Sequence, residues 1–68
     1  MMTDVTKGSR WRHYNGAEYV VTDIANTESK DPRYPPTVVY RGTVNQLIWC
    51  RPLEDWHRSM ARIDLLAD

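Results

Sequence analysis

Residues 10–26, R-W-R-H-Y-N-G-A-E-Y-V-V-T-D-I-A-N, decide the fold. At their centre Asn15-Gly16 is a strong hairpin signal, because both residue types tolerate the positive φ of a type I′ turn. Bulky residues lead into it from Arg10 to Tyr14. Tyr19, Val20, Val21, Thr22 and Ile24 follow it, all good strand formers. Two antiparallel strands are therefore expected, over 10–14 and 17–26. Tyr19 and Val21 share one face of the second, while Ile24 has the other parity. One extra residue near Thr22-Asp23 returns Ile24 to the core side, so a bulge or sharp bend is expected there.

Downstream, Thr27 to Pro36 carries Asp31-Pro32 and Pro35-Pro36 among polar residues and reads as a stiff loop, a candidate lid. Thr37 to Arg41 (T-V-V-Y-R) reads as a third strand, Gly42 to Gln46 as a turn, and Leu47 to Arg51 (L-I-W-C-R) as a fourth strand. Pro52 ends that strand. Leu53 to Trp56 suit a single helical turn, with proline at its start and acidic groups near the positive end of its dipole. Beyond Trp56 two readings stay open. Met60, Ile63 and Leu66 have helical spacing, and a short closing strand over 57–60 fits as well. Upstream, Met1 to Ser9 is polar without a period and reads as a flexible arm. The expected organisation is an arm at 1–9, one small β domain at 10–60, and a tail or short helix at 61–68. The expected class is all-β: a small SH3-like barrel, or a strongly curved antiparallel sheet of about four or five strands with one short helical turn.

A chain of 68 residues holds one domain, near the lower limit for a self-sufficient core. Cys50 stands alone, so no disulfide closes within the chain, and self-association is the most economical way to complete the core. No apolar run approaches the roughly 20 residues of a membrane span. The N-terminus lacks the apolar region of a signal peptide. A soluble, cytoplasmic protein of bacterial or viral type is expected, in the host cytosol if phage-encoded. The formal charge of zero argues against sequence-independent attraction to nucleic acid. Arg outnumbers Lys seven to two, and the aromatic residues are all Trp or Tyr with no Phe. Guanidinium forks clamp phosphate, and Trp and Tyr suit half-wet surfaces. A ligand or partner face explains this, and so does a tiny protein using its few large side chains at the boundary of its core.

Four pieces form a pattern: R-H-Y-N-G at Arg12 to Gly16, V-V-Y-R at Val38 to Arg41, W-C-R-P-L at Trp49 to Leu53, and the aromatic Trp56. Together they resemble a family of short, uncharacterised bacterial and phage β domains. The likeness covers Arg10 to Trp56, departs at the proline loop, and does not extend past Met60. It implies a β domain with no established enzyme activity. Some very small phage proteins capture cyclic nucleotide immune signals as sponges, and the resemblance makes that chemistry one to test against these residues.

Catalysis finds little support. His13, His57 and Cys50 are the only soft metal ligands and have no metal-site spacing. Ser9 and Ser59 meet a histidine only by long-range coincidence. Glu54 and Asp55 are adjacent and diverge, better placed to pair with Arg51 or Arg58. Gly8, Gly16 and Gly42 are isolated, so no phosphate-cradling loop is present. Binding is better served. Arg10, Trp11, Arg12, His13 and Tyr14 interleave cations and rings, and Tyr40-Arg41 and Trp49-x-Arg51 repeat the pairing. If Ile48 and Cys50 face the core, Trp49 and Arg51 turn outward together. The alternative puts Trp49 in the core and makes Arg51 a buried partner of Glu54. His13 as a structural hydrogen-bonder and Tyr14 as packing over the turn are the corresponding plain readings.

The expectation is a non-catalytic homo-oligomer, a dimer foremost, without cofactor or metal, that sequesters a small phosphorylated ligand of the cyclic-oligonucleotide type. Its contacts are expected from Arg10, Trp11, Arg12, His13, Tyr14, Tyr40, Arg41, Trp49 and Arg51, with Arg33 and Tyr34 reaching in from the loop. A barrel this small has no room inside for such a ligand, so the site belongs on the surface or between subunits. The alternatives are a small-barrel adaptor for a protein or single-stranded nucleic acid, and, less supported, a phosphoester hydrolase using His13 or Glu54.

Overall fold

A computed structural model describes residues 5–64. It contains β1 (Arg10–His13), β2 (Glu18–Ala25), β3 (Thr37–Gly42), β4 (Ile48–Pro52), a 3-10 helix (Leu53–Arg58) and β5 (Met60–Arg62). All the strands join one antiparallel sheet in the order β4-β3-β2-β1-β5. The 3-10 helix touches β3, β4 and β5, so the two edges of the sheet approach one short helical turn. The result is a mainly β, strongly curved sheet whose concave side is plugged by that turn.

The hairpin that opens the fold closes differently from the type I′ expectation. Positive φ occurs at Gly16 (97°) but not at Asn15. Gly16 N–H donates to His13 O, and His13 N–H to Ala17 O, both at 2.8 Å. This is a three-residue loop, Tyr14-Asn15-Gly16, in which glycine alone takes the left-handed conformation. Asn15 Oδ1 accepts the Ala17 N–H at 2.9 Å, so the asparagine acts through its side chain. Along β2 the register with β3 shifts between Val21 and Asp23, which leaves Thr22 as the extra residue. Ile24 thereby pairs with Val38 and packs on the core, as the parity argument requires.

The core comprises Val5, Trp11, Val21, Val38, Tyr40, Trp56 and Met60, flanked by Tyr19, Ile24 and Leu53. Its rings meet edge to face: Trp11 with Trp56 at 5.5 Å, Tyr40 with Trp56 at 4.9 Å, Tyr19 with Tyr40 at 5.0 Å. Such pairs add about 0.5–1.5 kcal/mol each beyond area burial. Trp and Tyr therefore build the interior, taking the place that Phe fills elsewhere. Trp11 can do so because Ser9 lies inside too: the indole Nε1–H donates to Ser9 Oγ at 2.8 Å. Trp56 is fully buried, and its Nε1–H meets no acceptor among the described residues.

Both segments that flank the expected domain, from Val5 and from Ala61, are drawn in further than expected. Val5 and Ser9 are buried, and Gly8 N–H donates to Val21 O, so the segment from Val5 onward is packed. Met1 to Asp4 lie outside the described residues. Beyond Trp56 the closing-strand reading holds, but at Met60–Arg62, after a helical turn that runs on to Arg58. Leu66 lies outside the described residues. Among those described, no helix is long and apolar enough to cross a membrane.

Candidate functional site

Cross-strand pairs share a face. Trp11, Tyr19, Val21, Val38, Tyr40, Trp49 and Arg51 line up on the concave side, and Arg10, Arg12, Val20, Val39, Arg41, Ile48 and Cys50 on the convex side. This corrects the sequence reading of β4. Ile48 (60 % exposed) and Cys50 are on the outer surface, not in the core. Trp49 and Arg51 do point the same way, but inward. Trp49 stays 49 % exposed only because β4 is an edge strand.

The expected ligand contacts consequently divide. Trp11 and Tyr40 are removed from a ligand face, being 1 % and 6 % exposed within the core. Arg10, Arg12 and Arg41 lie on the convex side, across the sheet from Trp49 and Arg51, and of the three only Arg12 lines the groove described next. Glu18 occupies both Arg10 (3.7 Å) and Arg12 (2.9 Å), and the Arg12 hydrogen bond foremost holds its carboxyl below the ordinary range. Arg41 donates to Gln46 Oε1. Arg33 pairs with Asp31 at 2.9 Å within its own loop and lies over the Tyr34 ring, and neither lines the groove described next.

What the fold does assemble is a surface groove between the β1–β2 turn and the end of the 3-10 helix. One lobe, about 390 Å³, is lined by Arg12, His13, Tyr14, Gly16, His57, Arg58, Ser59, Met60, Ala61 and Ile63. The adjoining lobe, about 330 Å³, is lined by Tyr14, Arg51, Asp55, Arg58 and Ser59. Both fall in the few-hundred-Å³ range of small-molecule sites. Tyr14 N–H donates to Ser59 O at 3.0 Å, which pins the hairpin turn against the C-terminal end of the helical turn. Tyr14 lines both lobes, 83 % exposed, its ring tilted 37° against His13 with the centroids 4.2 Å apart. His13 Nδ1 is engaged from behind by the Asn15 N–H at 3.1 Å, so the plain reading of a structural hydrogen-bonder fits it.

Arg51 is the half-buried cation of the groove. Its guanidinium donates to Ser59 Oγ, and it reaches the Tyr40 hydroxyl, whose pKa burial raises above the ordinary 10.0. No carboxylate pairs with Arg51 among the described residues, so the expected alternative partner, Glu54, is not the one it meets. Arg58 pairs with Asp55 at 3.4 Å on an open surface, an interaction worth about 0–1 kcal/mol. Arg58 and Ser59 were not among the expected contacts. Their signal lay in the closing-strand reading, which brings the end of the helical turn beside the Asn-Gly hairpin.

The family model for a protein of unknown function, DUF1653, matches residues 9–64. The chain belongs to this family. Its matched span begins at Ser9, the acceptor of the Trp11 indole, and ends just past β5, so the DUF1653 unit coincides with the packed sheet. No curated protein and no solved structure matches the chain. Among the described residues of this DUF1653 domain no group of His, Cys, Asp and Glu is placed to hold a metal ion.

Proposed function

We propose that this DUF1653 domain is a non-catalytic binder of a small phosphorylated ligand carrying a flat ring, of the cyclic-oligonucleotide class, which it sequesters in the groove beside Tyr14. The observation that carries this reading is the half-buried Arg51 guanidinium, held by neutral hydroxyls and, among the described residues, by no carboxylate, next to an exposed tyrosine ring. An unneutralised cation in a partly dry site favours an anion, and its planar fork matches phosphate oxygens. Arg58 supplies a second fork once phosphate displaces Asp55. Tyr14 offers a stacking platform, worth about 1–3 kcal/mol per base. Ser59 Oγ accepts from Arg51 and His13 Nδ1 accepts from the Asn15 N–H, which ties both side chains into the wall of the groove.

Calorimetry of the purified protein against a panel of cyclic dinucleotides, with mononucleotides and inorganic phosphate alongside, tests this reading. Saturable binding by at least one cyclic dinucleotide, weakened in Tyr14→Ala and Arg51→Ala, is expected. Silence across the panel overturns it. Recovery of intact ligand after heating the complex distinguishes capture from cleavage.

A further inference from the structure

Among the described residues the outer edge of β4 gathers exposed large apolar side chains. Leu47, Ile48, Trp49 and Cys50 are consecutive, uncharged and exposed. Hydrogen bonds at Gly42 N–H to Leu47 O and at Leu53 N–H to Pro36 O, both 2.9 Å, fix the phase of the β3–β4 ladder. Antiparallel pairs alternate between bonded and non-bonded. Trp49 and Arg51 therefore spend their backbone groups on Tyr40 and Val38, while Ile48 and Cys50 direct theirs away from β3. No bond within the described residues takes up those outward groups. Pro52, next in phase, has no N–H to offer.

We infer that β4 pairs antiparallel with β4 of a second copy of this chain across a two-fold axis at Trp49, which joins two sheets into one. With only Ile48 and Cys50 offering outward donors, one symmetric register uses them all: Ile48 opposite the partner's Cys50, exchanging both N–H and C=O, and the reverse. Shifting by one pair in either direction sets Ile48 against Pro52, which cannot donate, or leaves Cys50 facing Gln46 in the turn. The register places Trp49 against the partner's Trp49 as a non-bonded pair, whose Cα atoms approach to about 4.5 Å. Each half-exposed indole then covers the other. On the convex side the row Val20, Arg41, Ile48 continues into the partner's Cys50, the partner's Val39 and the partner's Asp23, so an arginine-bearing end runs toward an acidic one across an apolar middle. Arg51 lies opposite the partner's Leu47, and no like charges meet at the axis. Natural sheets guard free edges with charge or proline. Here Pro52 alone guards, and only at one end. The pairing meets the groove only at Arg51, which lines the smaller lobe, since no residue of 47–50 lines either lobe.

Sedimentation of the full chain over a range of concentrations is the test. A reversible dimer is expected, and a monomer at every concentration overturns the proposal. Cys50→Pro removes an outward N–H without touching a β3–β4 bond, and is expected to give a folded monomer. Ile48→Lys, at a site that already faces solvent, is expected to do the same by placing charge in the apolar strip, so the test survives if the proline variant fails to fold. A dimer that persists in folded Ile48→Lys overturns the proposal. The register has its own readout. In a Cys50→Ser background, Trp49→Cys is expected to crosslink the dimer on mild oxidation, whereas native Cys50 sits diagonal to its counterpart and is expected not to. Ready crosslinking through native Cys50 overturns the register.

Discussion

Two stretches that read alike in sequence, Arg10–Tyr14 and Ile48–Pro52, have opposite fates. Each sets a tryptophan within two residues of an arginine on a short strand, and each turns that tryptophan toward the concave side. Trp11 is sealed against Trp56, with its indole nitrogen on Ser9. Trp49 is half in water. The difference is position in the sheet. β1 lies between β2 and β5, and the Trp56 ring of the 3-10 helix seats on its tryptophan, whereas β4 is an edge with no strand beyond it among the described residues. Local composition selects a strand and its parity, and neighbours decide whether a ring becomes core or surface.

The comparison breaks most visibly under truncation. Trp11→Ala is expected to lose about 3–5 kcal/mol, the range for deleting a large buried aromatic side chain. For a domain this small that approaches its whole stability. Trp49→Ala is expected to change the monomer's stability by no more than about 1 kcal/mol. Urea denaturation at low protein concentration measures both, and equal losses would remove the distinction.

The arginines sharpen the same contrast in function. Arg51→Ala removes a charge-assisted contact of about 1.5–3 kcal/mol, so nucleotide affinity should fall roughly 10- to 100-fold. Arg41→Ala, on the convex side, should leave affinity unchanged. Calorimetry reads the pair, and equal effects would relocate the site.

A subtler contrast lies between the two buried indoles. Trp11→Phe gives up ring volume and a made hydrogen bond, whereas Trp56→Phe gives up similar volume but removes an N–H that has no acceptor among the described residues. Leaving such a group unpaired costs about 1–3 kcal/mol, so Trp56→Phe should be the milder change by about that amount. Thermal melts of the two variants decide it.

The smallest effect concerns Tyr40. Burial raises its pKa above the ordinary 10.0, more than Arg51 lowers it. A folded value above the unfolded one stabilises the fold fully below pH 10, and that contribution is lost as pH rises through the folded value. Alkaline titration of stability should therefore fall less steeply in Tyr40→Phe than in the parent chain.

Much of this fold was legible because it rests on parity and turn chemistry. The Thr22 bulge followed from Ile24 falling out of phase, and the helical turn from Pro52 followed by acidic residues. Less legible was anything that depends on which strands have neighbours on both sides. Parity correctly paired Trp49 with Arg51 but chose the wrong face, because Ile48 and Cys50 look like core and in fact line an outer surface. The polar-looking N-terminal arm hid Val5, which joins the core, and Ser9, which lies inside as the acceptor of the Trp11 indole. The groove joins Tyr14 to Arg58 and Ser59, residues far apart in the chain, and no local pattern announces that contact.

The groove is tested most directly by following backbone amide resonances of the labelled protein as a cyclic dinucleotide is added. Saturable shifts are expected at Tyr14, Arg51, Arg58 and Ser59, with Arg33, Tyr34 and Arg41 unmoved. No shifts at millimolar nucleotide, or shifts confined to the loop at 27–36 or to Val39, Arg41, Ile48 and Cys50, would contradict the account.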